Sequence, residues 1–143
     1  MSNEAANRAL AEALFAALER MDWPAVAELF TEDGTYQDMP FETDSGGTVG
    51  HAGIIGKLEV GLSMLERFEM GVTDIWVSGD NVLVERVEVW HHPDGTVASL
   101  PVLCRLQIRD NKIAHWREYW DYNYLIAQQP DSWLPQSPRP RWD

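Results

Sequence analysis

The sequence predicts an α+β domain in which helices come first and a strongly curved, mainly antiparallel sheet wraps over them. Three observations carry this prediction. Apolar residues recur at three- and four-residue steps up to about residue 68. From residue 69 onward the step changes to two, and good hairpin chemistry separates the period-two runs. Helices followed by a meander of strands give an α+β layer architecture. With 143 residues, 45% of them hydrophobic and seven of them Trp, the chain can bury one core of its own.

The elements follow in order. Residues 4–20 read as a helix because Leu10, Leu14, Phe15 and Leu18 form one apolar stripe. Asp22 reads as the N-cap of a short second helix running through Phe30, with Pro24 in its first turn. Thr31-Glu32-Asp33-Gly34 reads as a turn, Thr35 to Met39 as extended chain up to Pro40, and Phe41 to Gly50 as a loop containing Gly46-Gly47. His51 to Phe68 is a second long helical pattern, with Ile54, Leu58, Leu62 and Leu65 on one side. Four strands are expected at Glu69–Val77, Val82–His92, Val97–Arg109 and Ile113–Tyr122. The turns Ser78-Gly79-Asp80-Asn81, Pro93-Asp94-Gly95 and Asp110-Asn111-Lys112 join them. The tail from Gln128 holds four of the eight prolines, so it cannot continue a sheet interior and is expected either to pack as an extended arm or to be partly disordered. This divides the chain into a catalytic domain over 1–125 and a Pro-rich extended tail over 126–143.

Composition excludes several function classes. A formal net charge of -12 repels phosphate backbones and anionic lipid, so nucleic acid and membranes are poor partners and a neutral or cationic small molecule a better one. The single cysteine, Cys104, has no partner for a disulfide or a thiolate zinc site and reads as core packing. His91 and His92 face opposite ways in a strand, and His51 and His115 complete no ligand set, so no metal is expected. A glycine-rich phosphate loop and the nucleophile elbow of serine hydrolases are both missing. Met1 to Glu12 lacks the apolar stretch of a signal peptide, and no run approaches the ~20 apolar residues of a membrane span, so a cytoplasmic location is expected.

The chemistry concentrates at three period-two pairings, because side chains at i and i+2 of a strand share a face. They join Tyr36 with Asp38, Arg86 with Glu88, and Trp116 with Glu118 and Trp120. A carboxylate flanked by two indoles is the most informative of them. Either both indoles are exposed as an apolar patch or Glu118 is buried with them, and a buried carboxylate needs a cation or donors. Arg86 shares its face with Val82, Val84 and Trp90, whereas Arg105 shares its face with Gln107 and Arg109, so Arg86 is the candidate cation. Bland readings stand beside these. Arg86 and Glu88 also fit a solvated pair, with Leu83, Val87 and Val89 turned to the core. Tyr36 also fits a half-buried strand tyrosine, and Asp38 a turn former before Met39-Pro40.

At these same residues the chain resembles the limonene-1,2-epoxide hydrolase family, within the wider fold group of nuclear transport factor 2, ketosteroid isomerase and the SnoaL-like cyclases. The matching segments are LFTEDGTYQDMP (29–40), VLVERVEVW (82–90), SLPV (99–102) and DNKIAHWREYWD (110–121). The resemblance implies the cone-shaped nuclear transport factor 2-like fold, a homodimer packed through the sheet, and one-step hydrolysis of an epoxide without a cofactor. By position it implies Glu118 as the base for the attacking water and Glu88 as the acid for the epoxide oxygen. Arg86 then bridges the two acids, while Tyr36 and Asp38 hold the water. Two departures accompany it: both acids are Glu where the family has Asp, and Asp38 stands where it has an amide. Apolar residues on both faces of 82–90 agree with a second buried sheet face. Trp76, Trp90, Trp116, Trp120, Met64, Leu103 and Phe68 are the candidates to line an apolar pocket for a terpene-like or aromatic ligand.

Two other readings stay open. A SnoaL-like polyketide or polyether cyclase, or a related acid–base isomerase, would use the same acid at Glu118. Isomerisation of the ketosteroid type ranks lower, because the positions that would supply its oxyanion donors fall near the apolar Leu14 and Leu103. A non-catalytic small-molecule-binding protein of the same fold is the third reading.

Overall fold

A computed structural model describes residues 3–133. Helix α1 (Glu4–Glu19) starts where the Asn3 side chain accepts from the Ala6 amide, and α2 (Trp23–Glu28) where Asp22 accepts from the Ala25 amide. Each cap satisfies an amide that has no partner inside its helix. Strand β1 (Phe30–Asp38) leads into the short helix α3 (Met39–Glu42), the two-residue strand β2 (Thr48–Val49) and helix α4 (His51–Leu62). Strands β3 (Arg67–Glu69), β4 (Val72–Ser78), β5 (Asn81–His91), β6 (Val97–Arg109) and β7 (Lys112–Tyr119) follow, and helix α5 (Tyr122–Ile126) comes last.

The strands form one sheet in the order β2-β1-β7-β6-β5-β3, with β4 also on β5. The hairpins β4–β5–β6–β7 are antiparallel as their turns predict, while β1 returns parallel to β7, so the curled half-barrel is a mixed sheet. The core lies between its inner face and the helices. Leu14, Phe15 and Leu18 of α1, Val26 of α2 and Ile54 and Leu58 of α4 meet Val82, Val84, Leu100, Leu106 and Ile113.

Several boundaries differ from expectation. Residues 31–34 do not end an element: they lie inside β1, where its register against β7 shifts between Phe30 and Thr35. The polar turn signal there marks an irregular strand end that pairing with β7 overrides. The second long helix stops at Leu62 rather than Phe68, because Phe68 pairs with Trp90 in β3–β5. Strands β3 and β4 run along the same edge of β5, separated at Gly71, whose φ is +52° and where a Cβ would collide with the Val87 carbonyl.

The beginning of the proline-rich tail is not an extended arm in its described part. Helix α5 runs through Ile126, and the chain then turns back onto the domain. Strand β6 extends beyond its pairing with β7, leaving Ser99 open on that side, and Gln128 fills the gap by accepting from the Ser99 amide and donating to its carbonyl, both at 2.9 Å. Buried Gln129 and His92 share a 2.6 Å hydrogen bond. Residues 134–143, which complete the expected tail, lie outside the described residues. Among those described, no helix is long and apolar enough to cross a membrane.

Candidate active site

The inward-facing residues of β5 bring Arg86, Glu88 and Trp90 to the inner wall of the half-barrel. Register sets what they meet. Val84 pairs with Cys104, and Cys104 with Glu118, so Glu118 stands two strands away from β5. The buried β6 residues between them, Val102 and Cys104, are short, and the long Arg86 side chain crosses that strand to reach Glu118.

Arg86 is 1% exposed and bridges both acids. Its Nε and Nη2 donate to one oxygen of Glu88 at 3.0 and 2.6 Å. Its Nη1 donates to Glu118 Oε2 at 3.0 Å, and its Nη2 closes a second bond to Glu118 Oε1. The other Glu88 oxygen accepts from the Trp90 indole at 3.0 Å. The guanidinium carbon lies 4.8 Å from the centre of the Phe15 ring, so the back of the charge is covered. Forked, charge-assisted bonds of this kind fix both carboxyl planes.

One guanidinium faces two buried carboxyl groups, a surplus of one negative charge if both are ionised. Burial raises Glu118 to about 7; Arg86 pulls it down, and Glu88 and Asp38 push it further up. For Arg86, burial opposes the charge, but Glu118 and Glu88 outweigh it and hold the pKa well above its ordinary value. Near neutrality Glu118 therefore stands between its protonated and ionised forms.

The second edge of the site comes from β1. Its parallel register sets Tyr36 beside Trp116 and Asp38 beside Glu118. The Tyr36 ring stacks on Trp116 with centroids 3.9 Å apart. Burial, then Asp38, Glu118 and Glu88, raise the Tyr36 hydroxyl well above its ordinary pKa, which keeps it a proton-bearing donor. Asp38 is buried rather than solvated at a turn: Oδ1 accepts from the Trp120 indole at 2.8 Å, and Oδ2 lies 3.0 Å from the Lys57 ammonium. Lys57 also bonds Glu42, whose Oε1 accepts from the Asp38 amide at 2.7 Å.

These groups open onto a cavity of about 570 Å³. Tyr36, Asp38, Glu88 and Glu118 line it, together with the expected Phe68, Trp90 and Trp120. Four other expected lining residues do not. Trp116 is 1% exposed behind the Tyr36 ring, and Leu103 is 41% exposed because odd-numbered β6 residues face outward. Met64 follows the end of α4 and packs against the core away from the cavity. Trp76, on the outer face of β4, is 49% exposed.

Sequence reasoning missed Lys57, Phe41, Glu42 and Trp133, all of which line the cavity. Lys57 left a readable signal, since it lies three residues after buried Ile54 and beside buried Leu58 in an apolar helix. Trp133 left none; it reaches the wall by donating to the Gly61 carbonyl at 3.1 Å and packing edge-on to Trp90. Cys104 lies behind the acid pair, and burial, reinforced by Glu118, pushes its thiol up to about 12, which makes it inert packing. Among the described residues, no group of three or more His, Cys, Asp or Glu side chains is arranged to hold a metal ion. The arrangement can deliver a proton and accept one within the same apolar cavity.

Comparison with known proteins adds a family and a set of structural relatives. The family model for the SnoaL-like domain matches residues 11–116. A Catenulispora acidiphila protein with a ketosteroid isomerase-like fold, crystallised with trimethylamine, is 26% identical. The match covers 90% of this chain and 97% of that one at a TM-score of 0.74. An LEH-like epoxide hydrolase of M. tuberculosis is 20% identical, covering 90% and 87% at 0.75. A Shewanella denitrificans protein assigned as a SnoaL-like polyketide cyclase is 17% identical, covering 85% and 95% at 0.74. The latter two establish a shared fold only.

Proposed function

The chain belongs to the SnoaL-like domain family, with a nuclear transport factor 2-like fold whose relatives include an epoxide hydrolase, cyclases and isomerases; from this premise we propose that it hydrolyses a small apolar epoxide without a cofactor. One observation carries the reading: two buried carboxyl groups, held by the same arginine, border an apolar cavity.

Epoxide opening needs a proton on the leaving oxygen while water is activated on the opposite side. In the proposed step Tyr36 and Asp38 hold the water, Glu118 takes its proton, and the water oxygen bonds to a ring carbon. The carbon–oxygen bond of the ring breaks as Glu88 protonates that oxygen. The pair ends with one proton, as it began, so no other reactant is consumed. Carboxyl groups in different protonation states can perform both transfers. The proposed roles require Glu118 ionised as base and Glu88 bearing the proton it delivers. Enclosure between Trp90, Trp120 and Phe68 suits a terpene-like or aromatic substrate and supplies positioning.

Limonene-1,2-epoxide in ¹⁸O-labelled water tests this directly: the diol should carry one labelled oxygen. Glu118→Gln should lower kcat by at least about 100-fold while leaving the fold intact, as expected for loss of a proton-transfer group. A variant with unchanged turnover removes Glu118 as the base.

A second reading is favoured by Asp38, a third carboxyl group bordering the same cavity and held by Lys57 and Trp120. A SnoaL-like cyclase would use such a base on a substrate hydroxyl or an acidic carbon. Its signature is a cyclised product without label from water. Assembly belongs to the same proposal: the outward face of β4–β7 exposes Trp76, Leu83, Val87, Leu103 and Tyr119, and a second copy covering it would form a homodimer.

A further inference from the structure

Helix α4 contributes a cation that the acid-pair mechanism does not use. The Lys57 side chain is 16% exposed, and a lysine this enclosed requires compensation. It receives more than a single ion pair. Its ammonium lies 3.0 Å from Asp38 Oδ2, bonds Glu42, donates to the Tyr36 carbonyl at 3.2 Å, and sits 3.7 Å from the centre of the Tyr36 ring. Three of those contacts fall on Tyr36 and Asp38, the two β1 residues placed beside the attacking water. The helix thus grips that strand segment through both its side chains and its backbone.

The contacts also account for Asp38 as a charge. Its oxygens are divided, one to Trp120 and one to Lys57. Three other carboxyl groups lie near it: Glu118 stands beside it in the strand register, Glu88 borders the same cavity, and the Glu42 carboxyl bonds its amide, while the neighbouring Tyr36 keeps its proton. Arg86 is occupied with Glu88 and Glu118. Removal of Lys57 would leave Asp38 with an indole as its only described side-chain donor.

We propose that Lys57 is a positioning residue of this site, holding the Tyr36–Asp38 edge in place by pairing its ammonium with the Asp38 carboxyl group. Its contribution to turnover rests on the epoxide-opening reading; its hold on Asp38 does not.

The experiment needs no substrate for its first part. The Trp120 indole proton, bonded to Asp38 Oδ1, serves as an NMR reporter, identified by its disappearance in Trp120→Phe. Lys57→Met should raise the midpoint at which this resonance titrates by about one pH unit or more, the effect of losing an opposite charge at contact distance. Lys57→Arg should stay within about half a unit of the unmodified protein, because it restores the charge. An unchanged midpoint in Lys57→Met overturns the proposal.

In turnover of limonene-1,2-epoxide, Lys57→Met should lower kcat about tenfold or more and move KM less than about threefold, the pattern of lost positioning. Adding Asp38→Asn to Lys57→Met should regain most of that loss, since the surplus charge is then gone. Should Lys57→Met fail to fold, stability is compared between Asp38→Asn and the double variant. Removing Lys57 must cost less there than in the unmodified background, and an equal cost in both backgrounds overturns the proposal. If the unmodified protein opens no epoxide, the titration still decides the role of Lys57, and only the proposed function fails.

Discussion

Glu118 has a folded pKa of about 7 against an ordinary value of 4.5, so the folded state binds its proton more tightly than the unfolded chain. Its ionised form therefore costs stability. That cost is absent below about pH 4.5, grows across the interval, and is complete above about pH 7. Glu118→Gln should accordingly gain about 1–3 kcal/mol relative to the unmodified protein at about pH 8, and little at about pH 4, in urea unfolding. The same group bears on the proposed reaction. As the proposed base Glu118 must be ionised, so kcat/KM should rise as pH climbs through about 7, and a rate insensitive to pH between about 5 and 9 would exclude it as the base. Arg86→Met strands two buried carboxyl groups and should cost about 3–5 kcal/mol by the same unfolding assay. The pairing of Arg86 with Glu88 was legible from their i, i+2 spacing in a strand. The Lys57–Asp38 contact was not, because it joins a helix to a strand 19 positions earlier and no local period encodes it.

At the level of elements, the site depends on strand register. The two acids meet because the antiparallel β5–β6–β7 register carries Glu118 within reach of Arg86, and the parallel β1–β7 register sets Asp38 beside Glu118. A slip of one residue in β7 would turn Glu118 to the outer face. Gly71 protects the other edge: it lets β3 and β4 share one side of β5, with its carbonyl accepting from the Val87 amide at 3.0 Å. Gly71→Ala adds a Cβ at positive φ against backbone and should destabilise the fold by about 1–3 kcal/mol in thermal or urea unfolding. The hairpins were readable because their turns are local chemistry. Pairing of β1 with β7 brings together residues about 80 positions apart, and neither strand carries a residue that announces it.

For the whole molecule, the outer sheet face carries the largest consequence. Trp76 pairs with Leu83 in register, and Leu103 with Tyr119, and each of the four is at least 40% exposed. These exposed apolar side chains, interrupted by Glu85, Arg105 and Arg117, are the basis of the proposed dimer. Leu83→Glu together with Val87→Lys should convert a dimer into a folded monomer, read by light scattering with circular dichroism as the folding control. If the unmodified protein is already monomeric at about 100 µM, the proposed dimer fails; the affinity of an interface is not set by area alone.

The amino-acid sequence by itself determined the class of fold and most of the strands, because helical and strand periods and hairpin turns are properties of neighbouring residues; it named Glu88, Arg86 and Glu118 as candidates, and the strand register brought them together. Trp90, Trp120 and Phe68 were also legible as cavity wall. Tertiary structure alone decided which aromatic faces inward: Trp116 lies behind Tyr36, Trp76 and Leu103 face outward, and Trp133 closes the wall from the tail. It also decided that a helix lysine grips the Tyr36–Asp38 edge. Both follow from contacts between distant segments, whose geometry is set by how the sheet curls and not by any local period.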